Sequence, residues 1–215
     1  MSVKDFVQQR RDDFIALRRD FHMYPEPAWL EYRSAAKVAE KLIALGYDVA
    51  LGAEVLDLDS RMGLPSEDVM KAAMARAMDE GADPELVEKM GYGKTAIVAT
   101  MKFSDDGPVV AFRADMDSND VIESKASNHI PAKNGFRSRH EKAMHACGHD
   151  THMTMGLGLA EYIATHKDGL KGTIKLIFQP AEEGVRGAKA MVKAGVVDDV
   201  DLMFGMHIGF NEQLS

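Results

Sequence analysis

The second half of the chain switches hydrophobic period repeatedly, and this alternation limits the folds open to it more than anything else in the sequence. "PVVAFRAD", "GTIKLIFQ" (172–179) and "VDLMFGMHI" (200–208) are short apolar runs with β-branched or aromatic residues, which is the mark of half-buried or buried strands. Between them, "THMTMGLGLAEYIATH" (151–166) and "GVRGAKAMVKAG" (184–195) read as helices, the second closing at Gly195. Strand, helix, strand, helix, strand predicts an α/β fold with a mainly parallel sheet flanked by helices. "TAIVATMKF" leads into "PVVAFRAD" through the turn sequence "SDDG", and this predicts a hairpin.

The first half reads differently. Residues 4–22 predict an amphipathic helix, ended by "YPEP". Residues 34–46 predict a second, with Ser34 as N-cap and Gly46 as C-cap, followed by the short strand "YDVAL". Residues 58–92 are rich in Met, Ala, Asp and Glu and lack strand alternation, so they read as a helical insertion; Met70, Met74 and Met78 fit core or interface filling. Residues 118–143 show no clear period, and a long loop of that kind in a compact domain is often functional.

The 215 residues suit one large domain or part of a two-domain protein. A net charge of −8 without a basic patch argues against nucleic-acid binding. There is no long apolar run and no secretory h-region, so no membrane partner is expected. The single cysteine, Cys147, cannot pair internally, which agrees with a reducing, cytoplasmic setting.

That cysteine lies in "MHACGHDTHM", among three histidines. In open α/β sheets, ligands bind beyond the carboxyl ends of the strands. Asp115 and Asp117 follow one predicted strand, Glu182 and Glu183 another, and His207 a third, while Cys147 and His149 precede a predicted helix. Singly, each has an ordinary reading: turn residue, helix-end acid, core histidine, inert buried thiol. His145, His152 and His166 fit structural or surface places. Together, thiolate, imidazole and carboxylate suit a zinc-like or manganese-like ion. Glu182 and Glu183 are adjacent and point apart in an extended segment, so one can bind metal while the other moves a proton.

"RRDFHMYPEPAWLEYRSA", "AFRADMD", "MHACGHDTHMT", "IFQPAEEGVRGAKAMV" and "GMHIG" resemble, in order, the blocks of the amidohydrolase branch of the dinuclear-metal aminoacylase and carboxypeptidase family. "ALGAEVLDLDSRMGLP" and the Met-rich stretch narrow the resemblance within that branch. The resemblance implies two divalent ions, Mn2+ or Zn2+, and Cys147, His149, Glu183 and His207 as ligands. It implies Glu182 as general base, Asp115 as the residue orienting a ligand, and Asp150 in a similar supporting place. The implied substrate is an N-acyl amino acid, with an aromatic acyl group on glutamate favoured over other acyl amino acids or dipeptides. The implied partner is a second copy or a related chain. Where the branch commonly continues "DMDALP", this sequence reads "DMDSND", a difference expected to touch substrate contacts and not metal binding. Family members are about twice as long, so residues 1–215 are expected to be the N-terminal part of a catalytic domain. The lid and dimerisation domain and the C-terminal strands would be missing, one sheet edge bare, and the piece inactive alone. Competing expectations are a non-catalytic metal-binding or interaction module, and a thiol hydrolase using Cys147.

Overall fold

A computed structural model describes residues 1–209. Its strands are β1 (Asp48–Leu51), β2 (Ile97–Lys102), β3 (Val109–Asp115), β4 (Thr173–Gln179) and β5 (Leu202–Gly205). They form one sheet in the order β1-β2-β4-β3-β5. β3 runs parallel to both β4 and β5, β2 runs against β4, and β1 runs against β2. Since β1 opposes β2 and β2 opposes β4, every strand but β2 points the same way, as expected of a mainly parallel sheet. β4 takes the centre because both its faces are apolar: Ile174, Leu176 and Phe178 enter one core layer and Ile177 the other.

The expected hairpin does not form. β4 lies between β2 and β3, and the 104–108 turn hooks around its start. Phe103 N–H donates to the Gly172 carbonyl (2.9 Å), and Thr173 N–H to that of Pro108 (3.0 Å). The backbones approach so closely that a methyl on Gly172 would stand 2.2 Å from the Pro108 oxygen. The turn chemistry is local, but burial of β4 decides the pairing.

The expected 4–22 helix is broken at Arg10 into α1 (Val3–Gln9) and α2 (Arg11–Met23). α3 (Tyr32–Ala44) starts before Ser34, which is therefore not its cap. Instead the buried Glu26 carboxylate accepts the N–H groups of Arg33 (2.9 Å) and Ser34 (2.8 Å), satisfying two orphan donors from outside the helix. Gly46, at φ +84°, closes the other end. Its N–H donates to Ile43 and that of Tyr47 to Leu42, the paired bonds of a left-handed C-terminal cap.

Residues 58–92 are helical: α4 (Glu67–Asp79) and α5 (Pro84–Lys89), the latter capped by Asp83. Met70 is buried in the main core, and Met74 and Met78 pack against it. The 118–143 stretch holds only α6 (Ile130–Lys133). α7 (His149–Thr165) covers one face of the sheet with α2 and α3. α8 (Ala188–Lys193), shorter than its sequence suggests, packs on the other face against Ile177 and Trp29. β5 is an open edge among the described residues, with Leu202, Met203 and Phe204 52, 52 and 55% exposed. No helix among the described residues is long and apolar enough to cross a membrane.

Candidate metal centre

β3, β4 and β5 end side by side, and their carboxyl ends deliver Asp115 and Asp117, Glu182 and Glu183, and His207 to one rim. α7 begins at the same rim. Its N-cap is Gly148, at φ +82°, where a methyl group would stand 2.1 Å from Ile208 Cδ1. This left-handed glycine turns the chain sharply between Cys147 and His149, so residues two apart converge. Ligand atoms of Cys147, His149 and Glu183 all lie within 4.8 Å of one another. A second set with the same spacing contains Asp115, His149, His152 and His207. His149 belongs to both.

Hydrogen bonds set the roles of these groups. His149 Nδ1 donates to the Asp117 carbonyl (2.7 Å), because a carbonyl can only accept. That leaves Nε2 with a lone pair, buried and without a hydrogen-bond partner. It faces Asp115 Oδ1 at 3.6 Å, Glu182 Oε2 at 3.8 Å and Glu183 Oε1 at 3.9 Å. Glu183 Oε1 is likewise buried without a hydrogen-bond partner. Burial alone would lower His149, but the Asp117 and Asp115 carboxylates outweigh it and raise its pKa. The Glu183 carboxylate, and then burial, raise the Cys147 thiol above its ordinary value. Both shifts run in the direction that excess negative charge dictates and a cation would reverse. Two unpartnered ligand atoms beside a thiol fit a borderline divalent ion.

The two glutamates are held apart by one residue. The Asp117 carboxylate accepts the backbone N–H groups of Glu182 and Glu183, each at 2.9 Å. Glu183 then converges with Cys147 and His149, while Glu182 approaches His149 from outside that set. The turn is strained, with Ala181 at φ +51° and Val185 at φ +60°. It is closed by the Ala181 carbonyl, which accepts N–H bonds from Arg186 (3.1 Å) and Gly187 (2.9 Å).

Beneath the turn, buried Glu31 accepts from Ala181 N–H (2.8 Å) and Thr95 Oγ1 (2.6 Å). Burial, reinforced by the Asp117 charge, pushes its pKa up to about 8. The unfolded chain ionises near the ordinary value, so below that pH Glu31 costs nothing. As pH rises towards 8 the unfolded state releases its proton first and stability is lost. Glu31→Gln keeps both contacts without a charge. It is expected to stabilise the metal-free fold at pH 8 relative to pH 5 by about 2 kcal/mol. Urea unfolding at the two pH values checks this, and a wild-type pH dependence in the variant would exclude it.

The other sequence candidates divide. Asp115 bonds His152 Nδ1 (2.5 Å) and pairs with Arg113 (2.7 Å). Burial opposes ionisation of Asp115, but His152, His149 and Arg113 outweigh it and lower its pKa. His207 is exposed, and its ring lies 4.6 Å from that of His152. His152, read from sequence as structural or surface, is buried in the second set, and its Nε2 accepts the Ile208 N–H (2.9 Å). Its position three residues after His149, on the same helix face, was the available signal. Asp117 was also missed, although its two-residue spacing from Asp115 was visible.

Asp150 does not support His149. It turns the other way, to His22 (2.8 Å) and Arg18 (2.9 Å), and His22 in turn meets Glu123 (2.9 Å). That network ties the 118–143 stretch to α2. His145 is buried with neither ring nitrogen hydrogen-bonded, and burial lowers its pKa to about 4. The "DMDSND" difference reaches the metal set after all: Asn119 Oδ1 accepts the Cys147 N–H (3.1 Å), and its Nδ2 lies 3.6 Å from Cys147 Sγ.

Known proteins share this architecture. The model of the peptidase family M20/M25/M40 matches residues 111–215, the part that carries both metal sets. One of the subunits of the p-aminobenzoyl-glutamate hydrolase of Escherichia coli is 50% identical over 97% of this chain and 48% of its own length. The indole-3-acetyl-aspartic acid hydrolase of Enterobacter agglomerans is 48% identical over 96% of this chain and 48% of its own. Among solved structures, the aminobenzoyl-glutamate utilization protein of Klebsiella pneumoniae matches with TM-score 0.82 and 42% identity, over 97% of this chain and 46% of that one. A Bacillus subtilis dinuclear metal binding peptidase of the M20 family matches with TM-score 0.66 and 28% identity, over 95% and 44%. The chain spans about half the length of the curated relatives it matches. These relatives are hydrolases, and the narrower likeness carried by "ALGAEVLDLDSRMGLP" and the Met-rich helices is met by the Escherichia coli and Klebsiella pneumoniae proteins. Sequence and fold agree: the chain belongs to the peptidase family M20/M25/M40.

Proposed function

We propose that the full-length protein is a metal-dependent amidohydrolase that cleaves p-aminobenzoyl-glutamate to p-aminobenzoate and glutamate. The observation that carries this reading is the convergence of Cys147, His149 and Glu183, with His149 Nε2 and Glu183 Oε1 buried and unpartnered. In this reading Cys147, His149, Glu183 and His207 hold two divalent ions, Mn2+ or Zn2+. Such an ion, when bound, polarises the amide carbonyl and makes water more acidic. Glu182, outside the ligand set but 3.8 Å from His149, takes a proton from the attacking water and delivers it to the departing nitrogen. Asp117 fixes the two glutamate backbones so that the pair keeps separate tasks. Asp115 orients His152 and faces His149.

Residues 1–215 then form the N-terminal part of a catalytic domain, with 58–92 as an insertion into it. A partner chain is part of the proposal, supported by the Escherichia coli relative, which is named as one component of a hydrolase with more than one kind of chain. A cytoplasmic site agrees with the lone thiol. A second reading keeps the chemistry and changes the acyl group: the Enterobacter agglomerans relative, at 48% identity, is named for indole-3-acetyl-aspartic acid.

Chelation is the test. Full-length protein stripped with a chelator is expected to stop releasing glutamate from p-aminobenzoyl-glutamate and to regain turnover with Mn2+ or Zn2+. Cys147→Ser is expected to lower bound metal per chain, measured by plasma mass spectrometry. Undiminished turnover in the stripped protein would end the metal reading.

A further inference from the structure

Arg186 stands in the same closed turn as the two glutamates yet pairs with neither. Its backbone N–H is tied to the Ala181 carbonyl, so the guanidinium and the acid pair share one rigid frame. A methyl on Gly184 would lie 2.9 Å from Arg186 Nε, which puts the guanidinium directly beside the residue that follows Glu183. A methyl on Gly63 would lie 3.2 Å from Arg186 Cδ and 3.3 Å from Nε, so the segment before α4 forms the other side of its seat. Both glycines adopt left-handed backbones, at φ +65° and φ +81°, and only glycine there leaves the guanidinium its room. Among the described residues, Arg186 has no carboxylate within ion-pair distance and no side-chain hydrogen bond. This is a cation held beside an anionic centre without being spent on it.

We infer that Arg186 is a specificity-determining residue that binds the side-chain carboxylate of a dicarboxylic amino acid in the substrate. The inference rests on the amidohydrolase reading for the position of the scissile bond. Two observations select this ligand. A planar guanidinium with free donors matches a carboxylate in two-point contact. The Escherichia coli and Enterobacter agglomerans relatives are named for amides of glutamate and of aspartate, whose shared distinguishing group is a second carboxylate. With the amide at the Glu182 end of the turn, the amino-acid side extends towards Arg186.

The experiment compares p-aminobenzoyl-glutamate with p-aminobenzoyl-glutamine in the full-length protein. The two substrates have nearly the same shape and the same α-carboxylate, but the glutamine side chain is uncharged. Wild type is expected to prefer the glutamate substrate in kcat/KM by about 100-fold, and Arg186→Ala to reduce that preference to about threefold. Arg186→Lys keeps the charge but not the fork, and is expected to retain about tenfold. Equal losses on both substrates would assign Arg186 to the α-carboxylate or to folding and overturn the inference. Binding of N-benzylglutamate and N-benzylglutamine, whose CH2–NH linkage cannot be hydrolysed, is measured in parallel by calorimetry. If no acyl amino acid is hydrolysed but the binding preference exists and disappears in Arg186→Ala, the amidohydrolase reading fails and the carboxylate site stands. If wild type binds both analogues equally, the carboxylate site is wrong.

Discussion

Glu182→Gln is expected to lower kcat about 10³-fold while leaving metal content and KM within about threefold of wild type. The substitution keeps the shape and the backbone N–H bond to Asp117 (2.9 Å) and removes only the ability to accept and return a proton. Glu183→Gln should behave differently. Its Oε1 is buried against the Cys147 and His149 ligand atoms, so loss of charge there is expected to release metal. The contrast between two neighbouring, isosteric changes is the informative measurement. If Glu182→Gln loses metal and Glu183→Gln does not, the roles are exchanged.

Asp117→Ala is expected to weaken metal binding about 10- to 100-fold and kcat/KM by about 100-fold, though Asp117 belongs to neither ligand set. Its carboxylate holds two backbone N–H groups at once, and removing it frees Glu182 and Glu183 to drift. Leaving two donors without partners at this part-buried turn also costs about 2–4 kcal/mol of stability. Asp117→Asn keeps one acceptor and should fall between. Metal titration with a fluorescent indicator, alongside urea unfolding, checks both parts. Metal affinity within threefold of wild type in Asp117→Ala would show that the turn holds its shape unaided.

Much of this architecture was legible because it rests on local periodicity. β3, β4, β5 and α7 are each announced by an apolar run or a helical stripe, and strand ends follow from strands. The strand-end rule therefore brings Asp115, Glu182, Glu183 and His207 to one rim with Cys147 and His149 from the sequence alone. What was illegible depends on choices between distant partners. The "SDDG" turn is as good a hairpin turn as any, yet β4 takes the place beside β2, since only a strand apolar on both faces gains from the centre. Ser34 looked like a cap, but Glu26, seven and eight residues from the N–H groups it binds, does the capping. Asp150 follows His149 directly, and the first turn of α7 swings it to Arg18 and His22, on the far side. His152 was legible in principle from its three-residue spacing. Asp117 acts through main-chain donors, and no residue pattern advertises those.

The hook of residues 104–108 around the start of β4 has a consequence for how the sheet is assembled. Ile97 aligns with Phe178, a separation of 81 positions (178 − 97), so no early pairing between neighbouring strands can seed the structure. While the chain leaves the ribosome, β2 and β3 each wait with a bare row of amides until residue 179 has emerged. During that interval the nascent polypeptide is open to capture by strands of other molecules, which gives chaperone attendance and slow synthesis a direct bearing on its yield.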